Sequence, residues 1–150
     1  MSNAWMRLRE KFVNFYPPFL GAGIRAHTID ERTIRVEMKL TPFNRNIVGV
    51  HFGGSLYAMC DPWFMLILMR LLGRDYIVWD KAASIKFIRP GRSNVTATFH
   101  ISQEQVDEIL QRAEYGEKHE PAFNVNVLDQ EGQIVAQVEK MLYVKKKRGA

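Results

Sequence analysis

Residues 55–72 constrain this chain more than any other stretch. Between Leu56 and Leu72 only Asp61, Pro62 and Arg70 interrupt a run of apolar residues. A helix that is apolar on every side belongs in a protein core or a bilayer. Asp61, Pro62, Arg70 and the alternating segments around the run argue for the core, so no membrane partner is expected. Pro62 deprives the Ala58 carbonyl of its helical partner, which predicts a kink in one long helix. The rival reading makes Asp61 the cap of a helix that starts at Pro62. A single carboxylate in such surroundings is costly unless it has a task, which makes Asp61 a candidate catalytic group.

The rest of the chain supplies what such a helix would pack against. Trp5, Leu8, Phe12 and Phe15 or Tyr16 recur at helical spacing, and Pro17-Pro18 stops that helix, leaving Gly21 and Gly23 in a loop. Residues 23–29 read as a strand. Ile34, Val36, Met38 and Leu40 alternate with Thr33, Arg35, Glu37 and Lys39, the pattern of a half-buried antiparallel strand. Residues 42–54 read as loop. Residues 76–89 form a long strand closed by the turn Pro90-Gly91. Val95, Ala97, Phe99 and Ile101 alternate with polar residues, as do Phe123, Val125 and Val127. Between these two strands, Ser102 and Gln105 make a capping box for a surface helix striped by Val106, Ile109, Leu110 and Ala113 and ended by Gly116. Asp129 to Gly132 makes a hairpin turn, and residues 134–145 form the last strand.

About six antiparallel strands and one long apolar helix have a simple packing solution: the sheet curls around the helix and buries it on three sides. The fourth side and an edge strand still need cover, which implies a partner chain. With 150 residues, no internal repeat and no linker, residues 1–150 are expected to form a single domain. Hydrophobic residues at 47% and charged residues at 25% place the chain among globular proteins. Lys145, Lys146, Lys147 and Arg148 supply four charges of the net +5, so the basic balance reflects a solvated tail and no nucleic-acid partner is expected. A lone cysteine, Cys60, and the lack of a secretion-type apolar stretch in residues 1–11 point to a reducing, cytoplasmic setting. His27, His100 and His119 have no metal-ligand spacing, and no phosphate loop or dinucleotide fingerprint is present; neither metal nor cofactor is expected.

The order of elements, with Gly53-Gly54 opening a helix and Asp61 eight residues past Gly53, resembles the hotdog-fold acyl-CoA thioesterases. The runs Asn-Arg-Asn-Ile-Val-Gly-Val-His-Phe-Gly-Gly-Ser-Leu-Tyr-Ala-Met, Asp-Pro-Trp-Phe-Met and Tyr-Ile-Val-Trp-Asp-Lys-Ala-Ala-Ser-Ile-Lys-Phe-Ile-Arg-Pro-Gly-Arg, within residues 44–92, are more closely similar to a family of small bacterial hotdog proteins labelled thioesterases without an assigned activity. The resemblance implies an α+β hotdog fold, a curled antiparallel sheet of about six strands around a long apolar central helix. It further implies homodimers that pair into tetramers. In the phenylacetyl-CoA-type branch a His-Gly-Gly loop precedes an Asp on the central helix. Gly53, Gly54 and Asp61 match those positions, Asn46 matches a frequent active-site Asn, and the His position falls on Phe52 with His51 one residue early.

Thioester hydrolysis needs an activated water or a carboxylate nucleophile, and donors for the developing oxyanion. Asp61 suits the first role as base or nucleophile. The amides of Gly53 and Gly54, at the positive end of a helix, suit the second, unless they only make a tight turn. Asn46 either orients the water or caps its loop. Gly53 and Asp61 would lie roughly 12 Å apart on one helix. A composite site joining Gly53 of one protomer to Asp61 of the other follows, with dimerisation a condition of activity. His51, Phe52, Tyr57, Trp63 and Phe64 are candidates to line an acyl site, against the plainer alternative of core packing for the aromatics. Lys86, Arg89 and Arg92 could meet coenzyme A phosphates or simply face solvent. Asp80 and Lys81 interrupt an apolar strand, either as a pair beside Asp61 or as its solvent face. Cys60 reads as a buried structural thiol. The expected function is hydrolysis of an acyl-CoA-type substrate with a medium or aromatic acyl group; the alternative is a non-catalytic acyl-CoA binder on the same scaffold.

Overall fold

The alternating segments become strands at nearly the expected bounds. The computed structural model describes residues 12–149. Its strands are β1 (Ile24–Thr28), β2 (Thr33–Met38), β3 (Tyr76–Phe87), β4 (Val95–His100), β5 (Ala122–Leu128) and β6 (Ile134–Lys146). They form one antiparallel sheet in the order β1-β2-β4-β5-β6-β3. The helices are α1 (Pro17–Ala22), α2 (Gly53–Ala58), α3 (Trp63–Leu72) and α4 (Gln103–Ala113). The sheet curls around α3: Phe64 stacks on Phe123 of β5 and meets Phe99 of β4 edge-on, while Trp63 lies between Phe19 and Phe99. This is the hotdog fold.

Two expectations need correction. The long kinked helix is instead two helices, α2 and α3, separated by a non-helical turn at residues 59–62. Pro62 has no N–H to offer the Ala58 carbonyl, so the amide of Asp61 takes that carbonyl one residue early, at 3.3 Å. The Trp63 indole N–H donates to the Met59 carbonyl at 2.6 Å and so satisfies the other group released by the break. Asp61 is not the helix cap of the rival reading either: Pro62 occupies the cap position of α3, without a side-chain cap bond. The second correction concerns Pro17-Pro18, expected to stop a helix, and Gly21, expected with Gly23 in a loop. Residues 17–22 form α1, because a proline at the first helical position loses no hydrogen bond and has its φ already set. Trp5 and Leu8 of the expected first helix lie outside the described residues.

The surface helix α4 carries both arms of its capping box: Ser102 Oγ accepts from the Gln105 amide at 3.2 Å, and Gln105 Oε1 accepts from the Ser102 amide at 2.9 Å. Val106, Ile109 and Ala113 bury its inner stripe.

Strand β3 positions the site. It pairs with β6 on one side and forms an edge of the sheet on the other. Its register slips between Asp80 and Ala82, leaving Lys81 as an extra residue. Before the bulge, Val78 and Asp80 lie opposite the inward residues Val144 and Leu142; after it, Ala83, Ile85 and Phe87 lie opposite Lys140, Val138 and Ala136. The bulge therefore shifts the inward phase from even to odd positions, and turns Asp80 toward the interior. Along β6, Ala136, Val138, Leu142 and Val144 are buried on that same inward face, and so is Lys140.

Candidate active site

Lys140 is fully buried, in a run of inward positions otherwise taken by apolar residues. Such burial requires charge and hydrogen-bond partners. Its ammonium lies 2.9 Å from Oδ1 of Asp61 and 3.0 Å from Oδ1 of Asp80, and donates to the Tyr57 hydroxyl at 3.3 Å. The Tyr57 hydroxyl in turn donates to Oδ1 of Asp61 at 2.8 Å. Four elements meet here: α2 provides Tyr57, the turn after it Asp61, β3 Asp80 through its bulge, and β6 Lys140.

Burial alone would pull the Lys140 pKa down. Bonds to Asp61, Asp80 and Tyr57 outweigh burial, and the pKa lies above the usual lysine value, so the ammonium is charged at neutral pH. Burial pushes the Asp80 carboxyl up, with Lys140 opposing. Burial and the bond to Asp61 push the Tyr57 phenol up, so Tyr57 keeps its proton. The Asp61 side chain retains 49% of its exposure, whereas Lys140 retains 1%. The cluster thus presents a carboxylate to the outside and conceals its counter-ion. Cys60, alongside, is buried and its thiol is pushed up to about 12, which leaves it protonated and inert.

The remaining expected site residues separate into two groups. Gly53 and Gly54 open α2, at the opposite end of that helix from Asp61. Neither has a positive φ. A Cβ on Gly53 would lie 3.1 Å from the Phe87 ring, and one on Gly54 would lie 2.5 Å from the Phe52 ring, so both glycines sit against aromatic side chains. Asn46 closes its own loop: its Oδ1 accepts from the amides of Val48 and Val50, each at 3.1 Å. His51 is buried against Gly91, whose missing side chain admits the imidazole; a Cβ there would lie 3.0 Å from His51 Cδ2. His51 Nε2 lies 2.8 Å from the Ser93 carbonyl, which only accepts, so Nε2 carries the proton. Nδ1 is buried without a partner, and burial holds the His51 pKa below the usual imidazole value, against the Ser93 bond.

Phe64 is core, buried and stacked on Phe123. Lys86, Arg89 and Arg92 are exposed at the end of the sheet where α2 begins, and Arg89 bonds Gln133. Of the expected site residues, only Tyr57 joins Asp61. Asp80 joins it as one expectation had it, while Lys81 turns outward to Glu120 at 2.6 Å. Sequence reasoning missed Lys140, although the alternation Val138, Lys140, Leu142, Val144 marks it as inward-facing. Among the described residues, no group of three His, Cys, Asp or Glu side chains could hold a metal ion.

Solved structures share this fold. A Pseudomonas aeruginosa protein of unknown function, described as a probable thioesterase, is 20% identical, with a TM-score of 0.81 over 95% of this chain and 96% of its own. A Haemophilus influenzae thioesterase is 16% identical, with a TM-score of 0.67 over 93% and 91%. A Chlorobaculum tepidum protein of unknown function is 18% identical, with a TM-score of 0.74 over 95% and 94%. At these identities the likeness shows the hotdog fold. No protein of curated function matches the sequence. The model of a domain of unknown function, DUF4442, matches residues 6–144, and the chain belongs to that family.

Proposed function

We propose that the protein hydrolyses acyl thioesters of coenzyme A, with Asp61 as the group that activates water or attacks the carbonyl itself. The observation that carries this reading is the half-exposed Asp61 carboxylate, held at the break between α2 and α3 by partners that, among the described residues, bond one oxygen only. As a base, Asp61 takes a proton from water while the water oxygen adds to the thioester carbonyl; the carbon–sulfur bond then breaks, and the thiolate takes up that proton. The thioesterase descriptions of relatives from P. aeruginosa and H. influenzae support the same chemistry.

The oxyanion donors in this reading are the amides of Gly53 and Gly54 from a second protomer. Helix α2 alone spans about 9 Å, too far for its two ends to serve one reacting carbon. Strand β3 favours the second copy: it is a long sheet edge, largely exposed, that carries Trp79 and Phe87. The acyl group would enter between Tyr57 and the exposed inner edge of β3.

One observation favours a second reading, a non-catalytic acyl-CoA binder. The rings of Phe52 and Phe87 lie against the glycines whose amides the reaction would use. A panel of octanoyl-, phenylacetyl- and benzoyl-coenzyme A, with released thiol as readout, separates the two. Hydrolysis is expected for the parent and lost in Asp61→Asn, with the oligomer unchanged. Turnover by Asp61→Asn near the parent rate would overturn the role of Asp61; binding without any turnover would establish the binder.

A further inference from the structure

We propose that Lys140 is a positioning residue: its ammonium and the Tyr57 hydroxyl clamp Oδ1 of Asp61, which leaves Oδ2 to face the substrate. The inference deepens the hydrolytic reading and rests on it. Three facts carry it.

The first is the distribution of bonds on Asp61. Oδ1 receives two donors, Tyr57 at 2.8 Å and Lys140 at 2.9 Å, and among the described residues no donor reaches Oδ2. Two donors on one oxygen, from different elements, stop the carboxylate from turning about its last bond. The free oxygen is then fixed toward the half-exposed side.

The second is proton arithmetic. An ammonium has three hydrogens: this one donates two, to Oδ1 of Asp61 and to the Tyr57 oxygen, and Oδ1 of Asp80, 3.0 Å away, is its ion-pair partner without making a hydrogen bond. Tyr57 accepts from Lys140 and passes its own hydrogen to Asp61. No group in the set is left to compete for Oδ2.

The third is redundancy. A buried lysine needs one counter-ion for its own sake, and Asp80, aimed inward by the β3 bulge, already provides it. The contact to Asp61 is additional. Lys140 itself is fully buried behind Asp61, so it acts through that carboxylate.

The test compares the parent with Lys140→Met, which keeps volume but removes charge, and with the double variant Asp80→Asn/Lys140→Met, which removes both members of the inner pair and so restores folding. Positioning predicts that the double variant keeps its KM within about threefold while kcat falls on the order of 100-fold, the scale of an ångström-sized misplacement. Recovery of the parent kcat with the fold would overturn the inference and make Lys140 a strut. A second arm holds whether or not any thioester is hydrolysed. Lysine ammonium groups labelled with nitrogen-15 should give one exchange-protected signal at neutral pH, lost in Lys140→Met and displaced in Asp61→Asn. A signal unmoved by Asp61→Asn would overturn the clamp. A parent enzyme inert toward the whole panel, with the signal displaced, would instead retire the hydrolytic reading while the clamp on Asp61 stands.

Discussion

At the scale of single residues, a buried lysine decides the character of the site. Removing its charge leaves Asp80 and Asp61 side by side, one of them well covered. Lys140→Met should therefore destabilise the protein by about 3–5 kcal/mol, nearer the lower figure because Asp61 keeps water on one side. The double variant with Asp80→Asn should recover most of that loss in thermal unfolding. Since the folded-state pKa of Lys140 lies above its ordinary value, the stability it supplies is complete below the unfolded pKa of about 10.5 and is lost as pH rises through the folded value. His51 works in the opposite direction. Its folded pKa is depressed, so its contribution is present above the unfolded pKa of about 6.5 and is lost as pH falls through the folded value. Melting temperatures of the parent between pH 8 and pH 5 should fall more steeply than those of His51→Gln, which cannot take up the proton; equal slopes would show that the imidazole is not the group responsible.

At the scale of elements, α2 is short and its glycines are present for space. Neither Gly53 nor Gly54 has a backbone conformation that excludes alanine. Gly54→Ala meets only the edge of the exposed Phe52 ring, which can swing away. Its effect on stability should stay within about 1 kcal/mol, and the gain in helix propensity offsets part of any clash. If the α2 amides polarise a substrate carbonyl, the same substitution should reduce kcat/KM far more than it changes the melting temperature. A parallel fall in both would argue against that use of the helix end. In α4, Ser102→Ala removes one arm of a complete capping box and should cost about 1 kcal/mol in chemical denaturation.

At the scale of the whole molecule, the open question of cover belongs to β3. Its edge is long and mostly exposed, and a twofold pairing with a second copy would complete both the sheet and the proposed composite site. Like charges facing each other across such a pairing repel. Ala82→Glu/Ser84→Glu should therefore shift the protein toward a folded monomer in sedimentation equilibrium and abolish thioester turnover together with the dimer. A dimer that survives this change would place the interface elsewhere.

Period-two alternation made β2, β4 and β5 legible in the sequence, turn residues bounded β3 and β6, and the Ser102–Gln105 spacing marked the capping box of α4. Alternation and capping are both local: a strand that buries one face must alternate, and a helix end must satisfy its own amides. The apolar run of residues 56–72 likewise determined that a rod would occupy the middle of a curled sheet. Tertiary structure decided the rest. Whether Pro62 bends a helix or divides it depends on who takes the freed carbonyls, and the answer is the Trp63 indole and the Asp61 amide. Whether Asp80 faces in or out depends on one extra residue in β3, which appears only against the register of β6. The company of Asp61 was hidden for the same reason: Lys140 lies 79 residues away along the chain. Local patterns record which face a residue presents, whereas the partner of a buried charge is chosen by elements that meet only when the sheet closes.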